Sequence, residues 1–299
     1  MASSIEALPV PPSLLGESPF WWPEQRALVW TDIPGRTLNR WTPHAGRHEQ
    51  WPFETEIGSC APLPGGEVLL ALRTGLESFD SASGTRRKLA DAPYDTGAQR
   101  FNDGKADPQG RFWVGTLCEP RDPARGALYR WDGEQLDEVT GPVSVSNGLA
   151  WSPDGSTMYW SDTHAHRVHA YDFDGRTGTP SRRRLFADFA PTAHAGSLDG
   201  YGGRPDGAAV DVEGAYWVAM YEGQRLLRLG QDGGLLQEVV LPVRCPTMPC
   251  FGGHDLRTLF VTTARENRPE AELAQQPLAG WVLTMRVDVP GLPTNFVRA

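Results

Sequence analysis

The sequence predicts an all-β fold, a six-bladed β-propeller built of four-stranded blades, on three observations. One unit recurs six times: a polar residue with Gly, a short apolar strand, a turn closed by Gly, and a second strand centred on a large apolar side chain. Taking those centres as Trp30, Leu70, Trp113, Tyr159, Trp217 and Phe260, successive units lie 40, 43, 46, 58 and 43 residues apart. Periods of this size, with several strands each, belong to propeller blades. The 33 glycines and 26 prolines provide many tight turns, and no long apolar stripe of helical period interrupts them. A repeat array closes as one body, so residues 1–299 are expected to form a single domain although the length alone would allow two.

The units begin at Glu17 (ESPFWWPEQRALVWTD), Cys60 (CAPLPGGEVLLAL), Asn102 (NDGKADPQGRFWVGT), Asn147 (NGLAWSPDGSTMYWSD), Asp206 (DGAAVDVEGAYWVAM) and Phe251 (FGGHDLRTLFVTT). Apolar and polar positions alternate through the second strands WVGT, MYWSD and YWVAMY, the period-2 pattern of a strand. Gly110, Gly155 and Gly214 close the turns between first and second strands, where positive φ is needed. Third strands follow at 126–132, 167–174 and 225–233, and outer strands in QLDEVT, RRRLFADF and LLQEVVLP. The basic run of Arg182, Arg183 and Arg184 sits on such an outer strand, where charge deters edge pairing. A propeller must hide the sheet edges of its first and last blades, so Ile5 to Pro9 is expected to add as the outer strand of blade six, a clasp between the two ends. The longest step contains APTAHAGSLDGYGGR. That Gly-rich loop, at 191–204, runs directly into Asp206 and reads as a lid, with a solvated surface loop as the alternative.

Composition excludes some classes of partner. A formal charge of −9 argues against nucleic acid and anionic membrane. No stretch has the apolar length needed to cross a bilayer. The opening MASSIEALPVPPSLLGE lacks a basic segment followed by an apolar core, so no secretion signal is read. Four cysteines, Cys60, Cys118, Cys245 and Cys250, have no partners at zinc-site spacing. Free buried thiols in a reducing cytoplasm are the expectation, with a Cys245–Cys250 disulfide as the alternative.

The repeat also says where chemistry gathers. First strands line the channel and all run the same way, so residues immediately preceding them meet at one mouth. Glu17, Asn102, Asn147 and Asp206 hold that position. Asn or Asp before Gly is ordinary turn chemistry when met singly. Two carboxylates and two amides at one focus are costly without a cation or an extensive hydrogen-bond network. An all-oxygen donor set favours one hard divalent ion, Ca²⁺, Mg²⁺ or Mn²⁺, with Zn²⁺ or Fe²⁺ accessible through carboxylates and water. His164, His166 and His169 fall around an exposed turn and read as a surface feature. Asp162 reads as a side chain tying its own turn.

The stretches GESPFWWPEQRALVWTDI, RFNDGKADPQGRFWVGT, SNGLAWSPDGSTMYWSDT, RPDGAAVDVEGAYWVA and PCFGGHDLRTLFVTTAR span all but the extreme ends. With these motifs the chain resembles the sugar lactonases of the senescence-marker-protein/gluconolactonase family, which includes regucalcin and bacterial aldonolactonases such as xylonolactonase. The resemblance implies a six-bladed propeller, one catalytic divalent metal and hydrolysis of sugar-acid lactones. Carried over by motif, it makes Glu17, Asn147 and Asp206 the metal ligands and Arg100 and Asn102 substrate contacts. A sugar-contacting glutamate follows the Gly-Thr of the second strand in some members. Here Glu119 stands near that place, offset by one position, and the different loop around it bears on substrate identity rather than on reaction class.

Lactone hydrolysis needs a polarised carbonyl, an activated water and a stabilised oxyanion. Asp206 is the expected general base, its pKa lowered beside the cation. Arg100 can donate to a ring or exocyclic oxygen, and Asn102 can orient hydroxyls or the water. The function expected is therefore that of a cytoplasmic, metal-dependent lactonase of carbohydrate metabolism, acting on a small lactone of gluconolactone, xylonolactone, arabinonolactone or galactonolactone type. An arylesterase or organophosphate hydrolase would want a mainly apolar pocket, whereas Arg100, Asn102 and Asn147 suit a polyhydroxylated ligand. A calcium-binding or protein-binding scaffold would need no such convergence of side chains. Ring size, native metal and oligomeric state are open at this level.

Overall fold

A computed structural model describes residues 4–121, 124–192, 198 and 200–298. Among them lie six four-stranded antiparallel sheets, whose inner strands neighbour one another in a closed ring. The inner strands are Gly16–Trp22, Ile57–Pro62, Gln99–Ala106, Ser146–Trp151, Arg204–Val210 and Pro246–Gly252, blades one to six in that order. The second strands Ala27–Asp32, Glu67–Leu72, Phe112–Cys118, Thr157–Asp162, Tyr216–Tyr221 and Thr258–Thr263 carry the six expected centres, all buried. Gly110, Gly155 and Gly214 sit at φ of 88°, 69° and 81° in the intervening turns, as those turns require. The described residues hold one short α-helix, Glu270–Gln275.

The apolar core is divided rather than central. Each of six buried clusters spans one pair of adjacent blades, including Trp30, Trp41 and Leu28 against Phe260 and Val282 where blade one meets blade six. Burial between blade faces holds the ring together and leaves the axis free for polar side chains. Aspartates finish the joints. Asp107 accepts from Trp113 Nε1 at 3.0 Å and Arg111 Nε at 2.7 Å. Asp211 does the same in blade five, with Trp217 Nε1 at 2.9 Å and Arg228 Nε at 2.8 Å.

The ring is closed at both of its seams. Glu6–Ala7 pairs antiparallel with Leu283–Arg286 and forms the outer strand of blade six, the clasp expected from Ile5 to Pro9. The segment from Pro290 to Arg298 crosses the far end of the channel. It bonds to Val212 N of blade five, Trp21 O of blade one at 2.7 Å, Pro62 O of blade two at 2.9 Å and Ala106 O of blade three at 3.1 Å. Above it the channel widens to a mainly apolar cavity of about 260 Å³, lined among others by Cys60, Lys105, Ala150, Met248 and Cys250. All four cysteines are buried and free, so the alternative disulfide between Cys245 and Cys250 does not form. Arg182 and Arg184 lie on the outer strand Thr179–Asp188 and pair with Asp172. Six residues of the loop read as a lid, 193–197 and 199, lie outside the described residues.

Candidate active site at one mouth of the channel

Glu17, Asn102, Asn147 and Asp206 do not precede the inner strands, as the repeat had suggested, but lie within them. The physical reason is a β-bulge. Against the second strand, the inner strand carries one extra residue between Glu17 and Phe20, Phe101 and Gly104, Asn147 and Ala150, and Pro205 and Ala208, and blades two and six repeat the slip. A bulge breaks the alternation of side chains and re-aims them, here toward the axis. Gly148 serves the bulge of blade four at φ 64°. A Cβ there would run into Ser161 Oγ and Tyr216 OH, so glycine lets blade four approach the Asp206 backbone of blade five.

The geometry brings the four residues into one buried group. Asn102 Nδ2 donates to Asn147 Oδ1 at 3.0 Å and to Ser146 O at 2.9 Å. Asn147 Nδ2 donates to Thr163 Oγ1 at 2.8 Å, which turns the Asn147 amide so that its oxygen faces inward. Arg100 is buried beneath, with Nη1 donating to Asn102 Oδ1 at 2.8 Å and Phe101 O at 2.9 Å. The outer edge is Glu119, 45 % exposed, which faces Arg100 at 3.4 Å and pairs with Arg73 at 2.7 Å.

Two carboxylates stand opposite the amides. Burial holds the Glu17 carboxyl well above its usual range, helped by the nearby charges of Asp206 and Asp103. Burial, then the Asp103 charge, lifts Asp206 to about 8. The low pKa expected of Asp206 thus depends on a cation beside it; without one, desolvation wins. Among the described residues neither carboxylate bonds to an Arg or Lys; Glu17 Oε2 accepts only from Ser18 N, at 3.2 Å. Two buried, unneutralised carboxylates beside an inward amide oxygen are an oxygen donor set that suits a divalent cation.

Several site residues escaped the sequence. Ser18 holds φ 49°, unusual for a side-chain-bearing residue, and is fixed there by Cys60 N donating to its Oγ at 2.9 Å. It presents the amide that steers Glu17. Asp103 is buried with Oδ2 accepting from Leu149 N at 3.0 Å and Oδ1 without a partner among the described residues. Lys105 lies in the channel below and donates to Ala208 O at 2.6 Å. The signal for both was in NDGK, whose two charged residues are more than a turn needs. Asp162 is confined to its turn, accepting from Ser144, Val145 and Ala165 amides. The histidines do not converge: His166 faces Tyr201 OH at 2.6 Å, whereas His169 meets Arg183.

Fold and site define a propeller enzyme with one acidic, amide-flanked centre at a single mouth of its channel. The chain belongs to the SMP-30/Gluconolactonase/LRE-like family, whose model matches residues 15–265. It is 44 % identical over 292 residues to a 6-deoxy-6-sulfogluconolactonase of Pseudomonas putida, covering 97 % of each chain. It is 35 % identical over 286 residues to regucalcin of Oryctolagus cuniculus, covering 93 % of each. A crystal structure of a calcium-binding protein, regucalcin, from Agrobacterium tumefaciens superposes with a TM-score of 0.92 at 27 % identity, covering 100 % of this chain and 98 % of that one. The chain is a hydrolase of this family. No helix among the described residues is long and apolar enough to cross a membrane.

Proposed function

We propose that the protein is a metal-dependent lactonase that opens a small aldonolactone to its aldonic acid. The observation that carries this reading is the pair of buried carboxylates, Glu17 and Asp206, without a basic partner among the described residues and set against the Asn102–Asn147 amide pair. Glu17, Asn147 and Asp206 would hold one divalent ion, and Ca²⁺ is favoured by the calcium-binding relative. Such an ion supplies Lewis-acid polarisation of the lactone carbonyl.

The chain's own residues do the rest. Asp206 takes the proton of the attacking water, and returns it to the ring oxygen as the C–O bond breaks. Ser18 N keeps the Glu17 carboxylate turned inward. Asn102 is held by Arg100 through its oxygen and donates its amide to Asn147 Oδ1 and Ser146 O, so it fixes the Asn147 amide at the wall of the site. Arg100 therefore acts chiefly through Asn102, and Glu119 is the sugar-facing group on the outer edge. The relative from P. putida adds a sulfonated gluconolactone to the unsubstituted aldonolactones as substrates to try. Four free buried thiols support a cytoplasmic location.

The test is acid release, followed with a pH indicator, from a panel of sugar lactones with and without chelator. Turnover that chelator abolishes and a divalent ion restores is the expected result. Tight Ca²⁺ binding with no turnover of any lactone would favour a calcium-binding propeller instead, and turnover only of aryl esters would favour an arylesterase.

A further inference from the structure

The two amides of the site form a directed chain of hydrogen bonds, and the groups around them leave little choice of direction. Arg100, which can only donate, gives Nη1 to Asn102 Oδ1 at 2.8 Å. Ser146 O, which can only accept, takes one proton of Asn102 Nδ2 at 2.9 Å, and Asn147 Oδ1 takes the other at 3.0 Å. Both amide protons of Asn102 are thus engaged within the protein. None is left for a substrate hydroxyl or a water.

An amide so fixed dictates the orientation of its neighbour. Because Asn102 presents a donor, Asn147 must present its oxygen, and its own Nδ2 turns to Thr163 Oγ1 at 2.8 Å. Asn147 Oδ1 keeps one lone pair for an ion. Thr163 is buried directly after the second strand Thr157–Asp162. Its N–H donates to Val145 O at 3.1 Å, its carbonyl accepts from His166 N at 3.2 Å, and Asp162 ties the same turn. A threonine hydroxyl both donates and accepts, so Thr163 by itself would take either end of the Asn147 amide. Asn102 sets the direction, and Thr163 holds it.

We propose that Asn102 and Thr163 are positioning residues for the metal ligand Asn147: they fix which end of its amide meets the divalent ion, and govern ion affinity rather than substrate recognition. This rests on the metal-dependent reading, and it reassigns Asn102, which the family resemblance makes a substrate contact. Orientation and charge then pull in opposite directions in Asn102→Asp. The new carboxylate adds negative charge beside the cation site, which alone would tighten binding. It also sets an acceptor where Asn147 needs a donor. The Asn147 amide turns over, accepts from the Thr163 hydroxyl and brings its NH2 group to the ion, so binding weakens.

The experiment is calorimetric titration of Ca²⁺ and Mn²⁺ into the full-length, chelator-stripped protein as wild type, N102D, T163V and T163S. N102D is expected to bind about tenfold or more weakly, the scale of losing a partner behind a metal ligand. T163V removes the acceptor and keeps the shape; it should weaken binding severalfold, and T163S should restore it. Melting in chelator checks that each variant is folded at the titration temperature, and if N102D is not, the T163V and T163S pair decides. The KM for lactone at saturating ion separates positioning from substrate contact, and should stay within about twofold of wild type in N102D and T163V. Tighter or unchanged binding by N102D, wild-type binding by T163V, or a KM raised severalfold at saturating ion overturns the proposal. Those results leave the metal-dependent reading standing, whereas a wild type that binds neither ion refutes that reading itself.

Discussion

Replacing Asp206 by Asn should destroy activity and, at the same time, make the metal-free protein more stable. The argument starts from burial. In the unfolded chain an aspartate loses its proton near pH 3.9, whereas Asp206 in the folded protein holds its proton up to about 8. Over that window the native state binds more protons than the unfolded state, so stability falls as pH rises from the lower value to the higher. At pH 7 the gap covers roughly three pH units, about 4 kcal/mol. An amide carries no charge to desolvate, but it remains a buried polar group with its own bonds to find. A net gain of about 2–3 kcal/mol is therefore expected, or a rise in melting temperature of roughly 3–5 °C. The assay is thermal unfolding in chelator at pH 7, repeated with saturating Ca²⁺ or Mn²⁺. Wild type should gain from the ion far more than Asp206→Asn does, and the variant's kcat should drop about 10³-fold. A variant that melts at or below the wild-type temperature in chelator, or that still turns lactone over at a near-normal rate, would refute the reasoning.

Metal affinity should climb as pH is raised toward about 8, because the proton on Asp206 must leave before the ion binds; calorimetry in buffers of different ionisation enthalpy should detect its release. Asp211→Ala should cost about 3–5 kcal/mol in chemical denaturation, since it takes the acceptor from the Trp217 indole, the Ala215 amide and Arg228 Nε in a buried joint and leaves Arg228 only Glu213, while leaving metal affinity untouched. Deleting the residues before Gly16 removes the clasp strand with buried Leu8 and Val10; a loss of about 3–6 kcal/mol is expected, and a truncated protein melting with the wild type would exclude the clasp.

How much of this was legible depended on whether the information was local. The blade count was, because each unit writes its own strand, turn and aromatic centre, and six buried anchors from Trp30 to Phe260 report six sheets. The clasp was legible too, because an open ring would leave an edge exposed. The placement of Glu17, Asn102, Asn147 and Asp206 within their strands was not. A bulge is a mismatch between two strands, and a sequence read one strand at a time shows no partner to be mismatched with. For the same reason Ser18 looked like a neighbour of Glu17 rather than its support, since what fixes it is Cys60 of the next blade, 42 residues on. The long fourth step comes chiefly from the stretch between Asp188 and Arg204, with a few residues more from a third strand of 8 residues and an outer strand of 10.

The segment from Pro290 to Arg298 stitches four blades together across the far end of the channel, and Val297 is wholly buried between blades two and three. These residues leave the ribosome after every blade has already been made. A nascent chain can build its blades in order, but it cannot stitch them across the channel until Pro290 to Arg298 has followed the sixth blade out, and until then the seat of Val297 between blades two and three stays open to water, chaperones and proteases.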